Sequence, residues 1–223
     1  MEINDEIRRI IARTKVDESW MSNSKELERL LTSKMVENCV SVLDIGRSSR
    51  EFWDLFSPGQ IISADINQFN NYPDIIIDIC DISTFPDRQF DGVICHSILE
   101  HTYDPSAAVR NLYEHMNNGG IFLGFAPFLM CYHAPDDLKF QDFYRFSRDG
   151  LAYLFRNFSD VTLYPVRNQL SSVISLLKPT KIYHTEKGRE FMSAMIDRLF
   201  PGRPIQTTGY LIHAIKKEGE TNE

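Results

Sequence analysis

Apolar and polar positions change rhythm along this chain. Up to about residue 37 the rhythm is helical. Ile3, Ile7, Ile10 and Ile11 fall on one side of a first stretch, and Leu27, Leu30, Leu31 and Met35 form the stripe of a second over about 25–37. From residue 39 short apolar runs rich in β-branched residues alternate with polar turns. The pattern predicts strands at 39–45, 60–65, 75–80, 90–97 and 121–125, with a helix at about 49–56 and another at about 105–116. Asn117-Asn-Gly-Gly120 reads as the C-cap cluster that stops the second of these. Farther on, the pattern predicts a helix at about 147–157 capped by Ser147, a strand at 160–165, helical stretches at about 169–177 and 185–199, and a last strand at 209–217. Strand–helix alternation with short turns predicts an α/β fold built on a doubly wound parallel sheet.

Two strand ends hold the candidate chemistry. Val40-Ser-Val-Leu-Asp-Ile-Gly46 is an apolar run that ends in glycine and then turns into Arg47-Ser-Ser and a helix-compatible segment. A glycine there lets the main chain approach a ligand, and the N–H groups of the following helix attract an anion. Nineteen residues after Gly46, the run Gln60-Ile-Ile-Ser-Ala-Asp65 ends in an acid. An acid at the tip of the second strand, about 20 residues past the glycine turn, is where α/β nucleoside-binding domains hold ribose hydroxyls.

Composition narrows the classes. A chain of 223 residues, 43% hydrophobic, has material for one large domain or a domain with an appendage. The net charge of −7 disfavours an extended nucleic-acid footprint. No apolar run approaches the roughly 20 residues a membrane span needs, and the acidic start, Met1-Glu-Ile-Asn-Asp-Glu, is unlike a targeting peptide. Cys39, Cys80, Cys95 and Cys131 form no C-x-x-C pair, and three lie in or beside strand-like runs, so they read as reduced thiols. The expectation is a soluble, cytoplasmic protein without internal repeats, whose oligomeric state the sequence leaves open.

In order and in register, Val42-Leu-Asp-Ile-Gly46, Ala64-Asp-Ile66, Cys80-Asp-Ile82, Phe90-Asp-Gly-Val-Ile94 with Ser97-Ile-Leu-Glu-His101, and Asn118-Gly-Gly-Ile-Phe122 resemble the motifs of class I S-adenosylmethionine-dependent methyltransferases over about residues 39–165. Pro127-Phe128, Tyr132-His133 and Asp142-Phe-Tyr-Arg-Phe146 resemble a bacterial subgroup found among enzymes that modify surface polysaccharides or small metabolites. The resemblance implies a Rossmann-like sheet of seven strands, order 3-2-1-4-5-7-6, with the last strand antiparallel. Together with the hydrophobic pattern and the polar C-terminal residues, it divides the chain into a helical segment 1–37 that packs on the sheet edge or covers the cleft, a methyltransferase domain 38–217 with a substrate-side insertion at 128–148, and a disordered tail 218–223.

It further implies S-adenosylmethionine as cofactor and a small-molecule acceptor, with sugar or polysaccharide precursors as candidates. Asp44, Gly46 and Arg47 would form the methionine-side loop, and Asp65 would take the ribose hydroxyls. Asp81 would meet the adenine amino group between Ile66 and Ile82, while His96 and Ser97 would lie beside the sulfonium. On the acceptor side stand Tyr132, His133, Tyr144 and Arg145, with His133 as general base, Tyr144 beside it and Arg145 for an anionic substrate group.

The glycine loop departs from the family. Arg47 and Ser48 replace later glycines, so Arg47 either pairs with the cofactor carboxylate or blocks the site. The blocked case is a catalytically silent binding or scaffold protein. A nicotinamide oxidoreductase is disfavoured because G-x-G-x-x-G is missing. Structural readings stand beside the functional ones: Asp44 orienting its own loop, Glu100 and His101 capping or bonding in the core, and Asp142 pairing with Arg145 or Arg148. The spacing of His96, His101 and His133 matches no metal signature, so no metal is expected.

Overall fold

A computed structural model describes residues 4–135, 140–177, 185–202 and 206–219. The first helix, α1 (Asp5–Arg13), starts where the Asn4 side chain accepts from Ile7 N–H. Strand β1 (Lys15–Val16) and helix α2 (Ser24–Asn38) follow, then β2 (Val42–Ile45). A six-residue 3-10 segment, Arg50–Leu55, leads to β3 (Ile61–Asp65) and β4 (Ile75–Ile76). Next come β5 (Phe90–His96), α3 (Pro105–Glu114), β6 (Met116–Pro127), α4 (Arg148–Leu154), β7 (Asp160–Val166), α5 (Gln169–Leu177), α6 (Glu186–Leu199) and β8 (Gly209–Ile215).

All eight strands form one sheet in the order β1-β7-β8-β6-β5-β2-β3-β4, in which β8 runs antiparallel to both β6 and β7. The seven expected strands keep their expected order. The eighth, β1, pairs in parallel with β7 at the margin. Two residues flanked by charges carry no legible alternation.

The central strands are buried on both faces, which is why they read as continuous apolar runs rather than alternating ones. On one face Leu43, Val93, Cys95 and Phe122 pack with Leu112, Leu151, Phe155 and Phe158. On the other, Val42, Ile94, Leu123 and Leu211 meet Leu27, Leu31 and Met35 of α2. Helix α2 therefore covers one face, while α1, with no fully buried residue, lies against α4.

Several expected boundaries shift, the first strand among them beginning at Val42 rather than 39, and three shifts have a clear local cause. The run at 75–80 pairs only over Ile75–Ile76, because Asp78 and Asp81 turn the chain with local hydrogen bonds, although Ile77 and Ile79 still point into the core. The segment after β2 closes as a 3-10 helix, not an α-helix, since Ser49 carbonyl accepts from Phe52. The 117–120 cluster lies inside β6: α3 ends at Glu114, the register between β5 and β6 shifts at Phe90/Gly92, and the strand begins at Met116. The end of the expected tail, 220–223, lies outside the described residues, as do 136–139 of the insertion and 178–184. Among the described residues no helix is long and apolar enough to cross a membrane.

Candidate active site

The carboxyl ends of β2, β3, β5 and β6 lie side by side, which is where open α/β sheets bind ligands. At the end of β2 the chain turns through Gly46 (φ +68°) and Arg47 (φ +50°). The left-handed backbone favours glycine at 46, and a Cβ there, 2.5 Å from Ile98 Cδ1, would also oblige the tip of that side chain to move. Asp44 is fully buried beneath this turn. Its Oδ1 accepts from Ser48 N–H and Ser48 hydroxyl, both at 2.9 Å, and its Oδ2 accepts from Ser49 hydroxyl at 2.7 Å and Trp53 Nε1–H at 2.8 Å. Asp44 is thus the hub of its own loop, and its carboxylate faces protein rather than the cleft. Ser48 hydroxyl in turn accepts from His96 N–H at 3.1 Å and ties the loop to β5.

At the tip of β3, Asp65 Oδ1 accepts from Asn67 N–H at 3.0 Å and Oδ2 from Tyr72 hydroxyl at 3.0 Å. Burial and the Asp65 charge push the Tyr72 phenol well above its ordinary range, so it stays a donor. The Arg47 guanidinium lies over Trp53 (4.8 Å to the ring centroid) and Tyr72 (5.7 Å), bridging the two loops. Asp81 uses Oδ1 to cap the turn at Ser83 and is held below the usual carboxylate range by that bond. Ile66 and Ile82 are 55% and 48% exposed at the same edge. Two exposed isoleucines beside acids with lone pairs to spare fit a planar, polar-edged ring such as adenine.

A cavity of about 310 Å³ opens between α2 and these strand ends, lined among others by Lys25, Glu28, Glu51, His96, Ser97 and Glu190. His96 Nε2 lies 3.8 Å from Glu28 Oε1, too far for a hydrogen bond. Burial, reinforced by the Glu51 charge, raises Glu28 to about 7, and burial lowers His96 to about 4. The imidazole is therefore neutral at neutral pH, and the two do not form an ion pair. Ser97 sits at φ +54°, its N–H donating to Phe125 carbonyl. Glu28 escapes sequence reasoning because it is one charge among many on an amphipathic helix.

The expected acceptor residues do not line this cavity. They lie on the strap that follows β6, where His133 and Arg145 both bond to Asp142. Arg145 forks onto both oxygens of Asp142 and also donates to the carbonyls of Met130, Cys131 and Tyr144, so its guanidinium is consumed in shaping the strap. Arg145 therefore positions the loop and is not free for a substrate anion, as the sequence had suggested. The Asp142 carboxyl is held at about 2 by Arg145. Asp142 Oδ2 also accepts from His133 N–H at 2.9 Å. Tyr144 hydroxyl donates to Tyr103 carbonyl at 3.2 Å, and Tyr132 is 71% exposed. The structure also brings His101 and His133 together, Nε2 to Nε2 at 3.2 Å, whereas His96 faces Glu28.

Comparison with known proteins points the same way. Residues 43–124 match the family described as a methyltransferase domain. No curated protein matches the sequence. Among solved structures, an S-adenosylmethionine-dependent methyltransferase from Archaeoglobus fulgidus aligns with TM-score 0.53 and 20% identity, covering 88% of this chain and 96% of that one. One from Methanosarcina mazei gives 0.51 and 13%, covering 85% and 98%. The [4+2]-cyclase SpnF gives 0.52 and 12%, covering 96% and 94%. Residues 43–124 thus match a methyltransferase domain, and the chain has the fold of class I S-adenosylmethionine-dependent methyltransferases.

Proposed function

We propose that the chain transfers a methyl group from S-adenosylmethionine to a small-molecule acceptor, with sugar and polysaccharide precursors the first class to try. The observation that carries this reading is Asp65 at the tip of β3, flanked by the exposed Ile66 and Ile82 and by Asp81. Asp65 would hold the ribose hydroxyls by charge-assisted bonds, and the two isoleucines would cover the adenine faces. Glu51 and Glu190, which pair with Lys25 at 3.2 and 3.6 Å, and the buried Glu28 line a polar cleft suited to the ammonium and carboxylate of the cofactor's amino-acid end. When bound, that cofactor supplies an activated methyl carbon. The residues around it then position the partners more than they activate them. On the acceptor side, Tyr132, His133 and Tyr144 stand on the strap after β6. His133, with Nδ1 3.2 Å from Asp142 Oδ2, would take the proton of an acceptor hydroxyl as general base.

One observation favours a second reading. Arg47 stacked over Trp53 and Tyr72, with Tyr72 bonded to Asp65, fills the approach to the ribose position. A chain that kept this arrangement would be a catalytically silent binding protein. The resemblance to SpnF adds that the fold alone does not fix the chemistry. Calorimetric titration with S-adenosylmethionine and S-adenosylhomocysteine, on the intact protein and on Asp65→Ala, separates the two readings. Binding that Asp65→Ala abolishes supports the methyltransferase. Absence of binding to the intact protein hands the case to the silent one.

A further inference from the structure

We propose that Glu100, His101 and His133 form a binding site for one divalent transition-metal ion of the zinc type. The site follows the carboxyl ends of β5 and β6, beside the acceptor strap.

His101 Nδ1 faces the backbone carbonyl of Gln141, which can only accept, so Nδ1 carries the proton and Nε2 a lone pair. His133 Nδ1 lies 3.2 Å from the Cys131 carbonyl oxygen and 3.2 Å from Asp142 Oδ2, both acceptors, which fixes the same tautomer. The two Nε2 atoms therefore confront each other with lone pairs at 3.2 Å. Neutral imidazoles repel in that arrangement, and a cation between them removes the repulsion. Ligands bound at about 2.0–2.2 Å in a tetrahedral shell stand roughly 3–3.5 Å apart, which the two nitrogens already satisfy.

The third member supplies the charge. Glu100 has a side chain with 0% exposure, and neither carboxylate oxygen has a hydrogen-bond partner among the described residues. A buried carboxylate without partners is costly and is normally answered by a cation. Its Oε1 lies 3.9 Å from His101 Nε2, and one ligand atom from each of the three residues falls within 4.8 Å of the others. Outer partners are in place as well. The Gln141 carbonyl orients His101, Asp142 and the Cys131 carbonyl orient His133, and Arg145 fixes Asp142.

Two imidazoles and a carboxylate leave a position open for water or a substrate oxygen. The role of the ion, though not the ion itself, rests on the methyltransferase reading. An acceptor hydroxyl coordinated there loses its proton to water more readily and keeps the electron pair on oxygen. His133 then acts as a ligand and not as the base.

The test is metal binding, read independently of methyl transfer. The full chain is stripped with chelator, titrated with Zn²⁺ by calorimetry, and titrated with Co²⁺ by visible absorption. One equivalent of each is expected, with d–d bands for Co²⁺ and a Zn²⁺-dependent rise in Tm. His101→Ala and His133→Ala should lose the bands, and Glu100→Gln, which keeps the side-chain shape, should weaken binding at least about tenfold. Circular dichroism of each variant checks that it folds. No stoichiometric binding to the intact chain, or binding unchanged in both histidine variants, overturns the proposal and leaves a proton shared between the rings. Because the readout is the ion, loss of the methyltransferase reading would leave this result standing, and the reverse holds too.

Discussion

Asp44→Asn should destabilise the protein chiefly by stranding the Trp53 indole. The wild-type carboxylate is buried and accepts on both oxygens, from Ser48 on one, from the Ser49 hydroxyl and Trp53 on the other, and from Ser49 N–H, shared between the two. An asparagine keeps one oxygen. If that oxygen serves Ser48, the amide nitrogen faces the Ser49 hydroxyl and the Trp53 N–H. The hydroxyl can rotate to accept, but the indole is a donor only and keeps just its 3.1 Å contact to Ser49 Oγ. Losing a charge-assisted bond costs about 1.5–3 kcal/mol, and leaving a donor facing a donor adds to it, so the expected loss is about 3 kcal/mol. The assay is urea unfolding followed by circular dichroism on Asp44→Asn, Trp53→Phe and the double variant. In the Trp53→Phe background the Asp44 substitution should cost at least about 1 kcal/mol less, because the orphaned donor is gone. Additive effects, or a single-variant loss under about 0.5 kcal/mol, would show that the loop is not organised through this bond.

Other expectations concern the cleft. Glu28 holds a proton in the folded state between its ordinary 4.5 and about 7, where the unfolded chain has lost it, so it makes stability decline as pH rises through that window. Glu28→Gln should flatten the decline and gain up to about 3 kcal/mol above pH 7; a pH–stability curve identical to wild type would rule this out. His96, lowered from 6.5 to about 4, works the other way and costs stability as pH falls from 6.5 toward 4, a loss that His96→Asn should remove in acid unfolding curves. Tyr72→Phe frees an Asp65 oxygen and should tighten S-adenosylhomocysteine binding up to about tenfold in calorimetry; weaker binding would mean that the phenol helps to hold the ligand. Gly46→Ala should lose about 1–2 kcal/mol in thermal unfolding for its left-handed backbone alone, and a wild-type Tm would contradict the strained turn.

The sheet was legible because its central strands are buried on both faces and therefore appear as unbroken apolar runs, ended by Gly46, Asp65 and Ser97. What fell outside the sequence's reach depends on short or distant contacts. β1 is two residues long and owes its place to β7, not to any periodicity of its own. The aromatic insertion shows no repeat that would say Arg145 turns inward onto three carbonyls. His101 and His133 are 32 positions apart with no metal-like spacing, and only the strap after β6 makes them neighbours. Glu28 looked like solvent-facing charge until the fold placed α2 over the strand ends.

The margins of the sheet offer little to an incoming strand. Both outer strands, Lys15–Val16 on one side and Ile75–Ile76 on the other, are only two residues long. Long exposed edges are the usual template for strand-by-strand growth, and very short ones give an incoming strand almost nothing to pair with. The inner partners β7 and β3 are partly shielded by them, with Asp17 N–H extending the cover by donating to Leu163 carbonyl and Ile77 N–H doing the same to Asp65 carbonyl. Removing residues 4–20 would uncover β7, seven residues long, and leave a longer edge open to pairing with a strand of another chain.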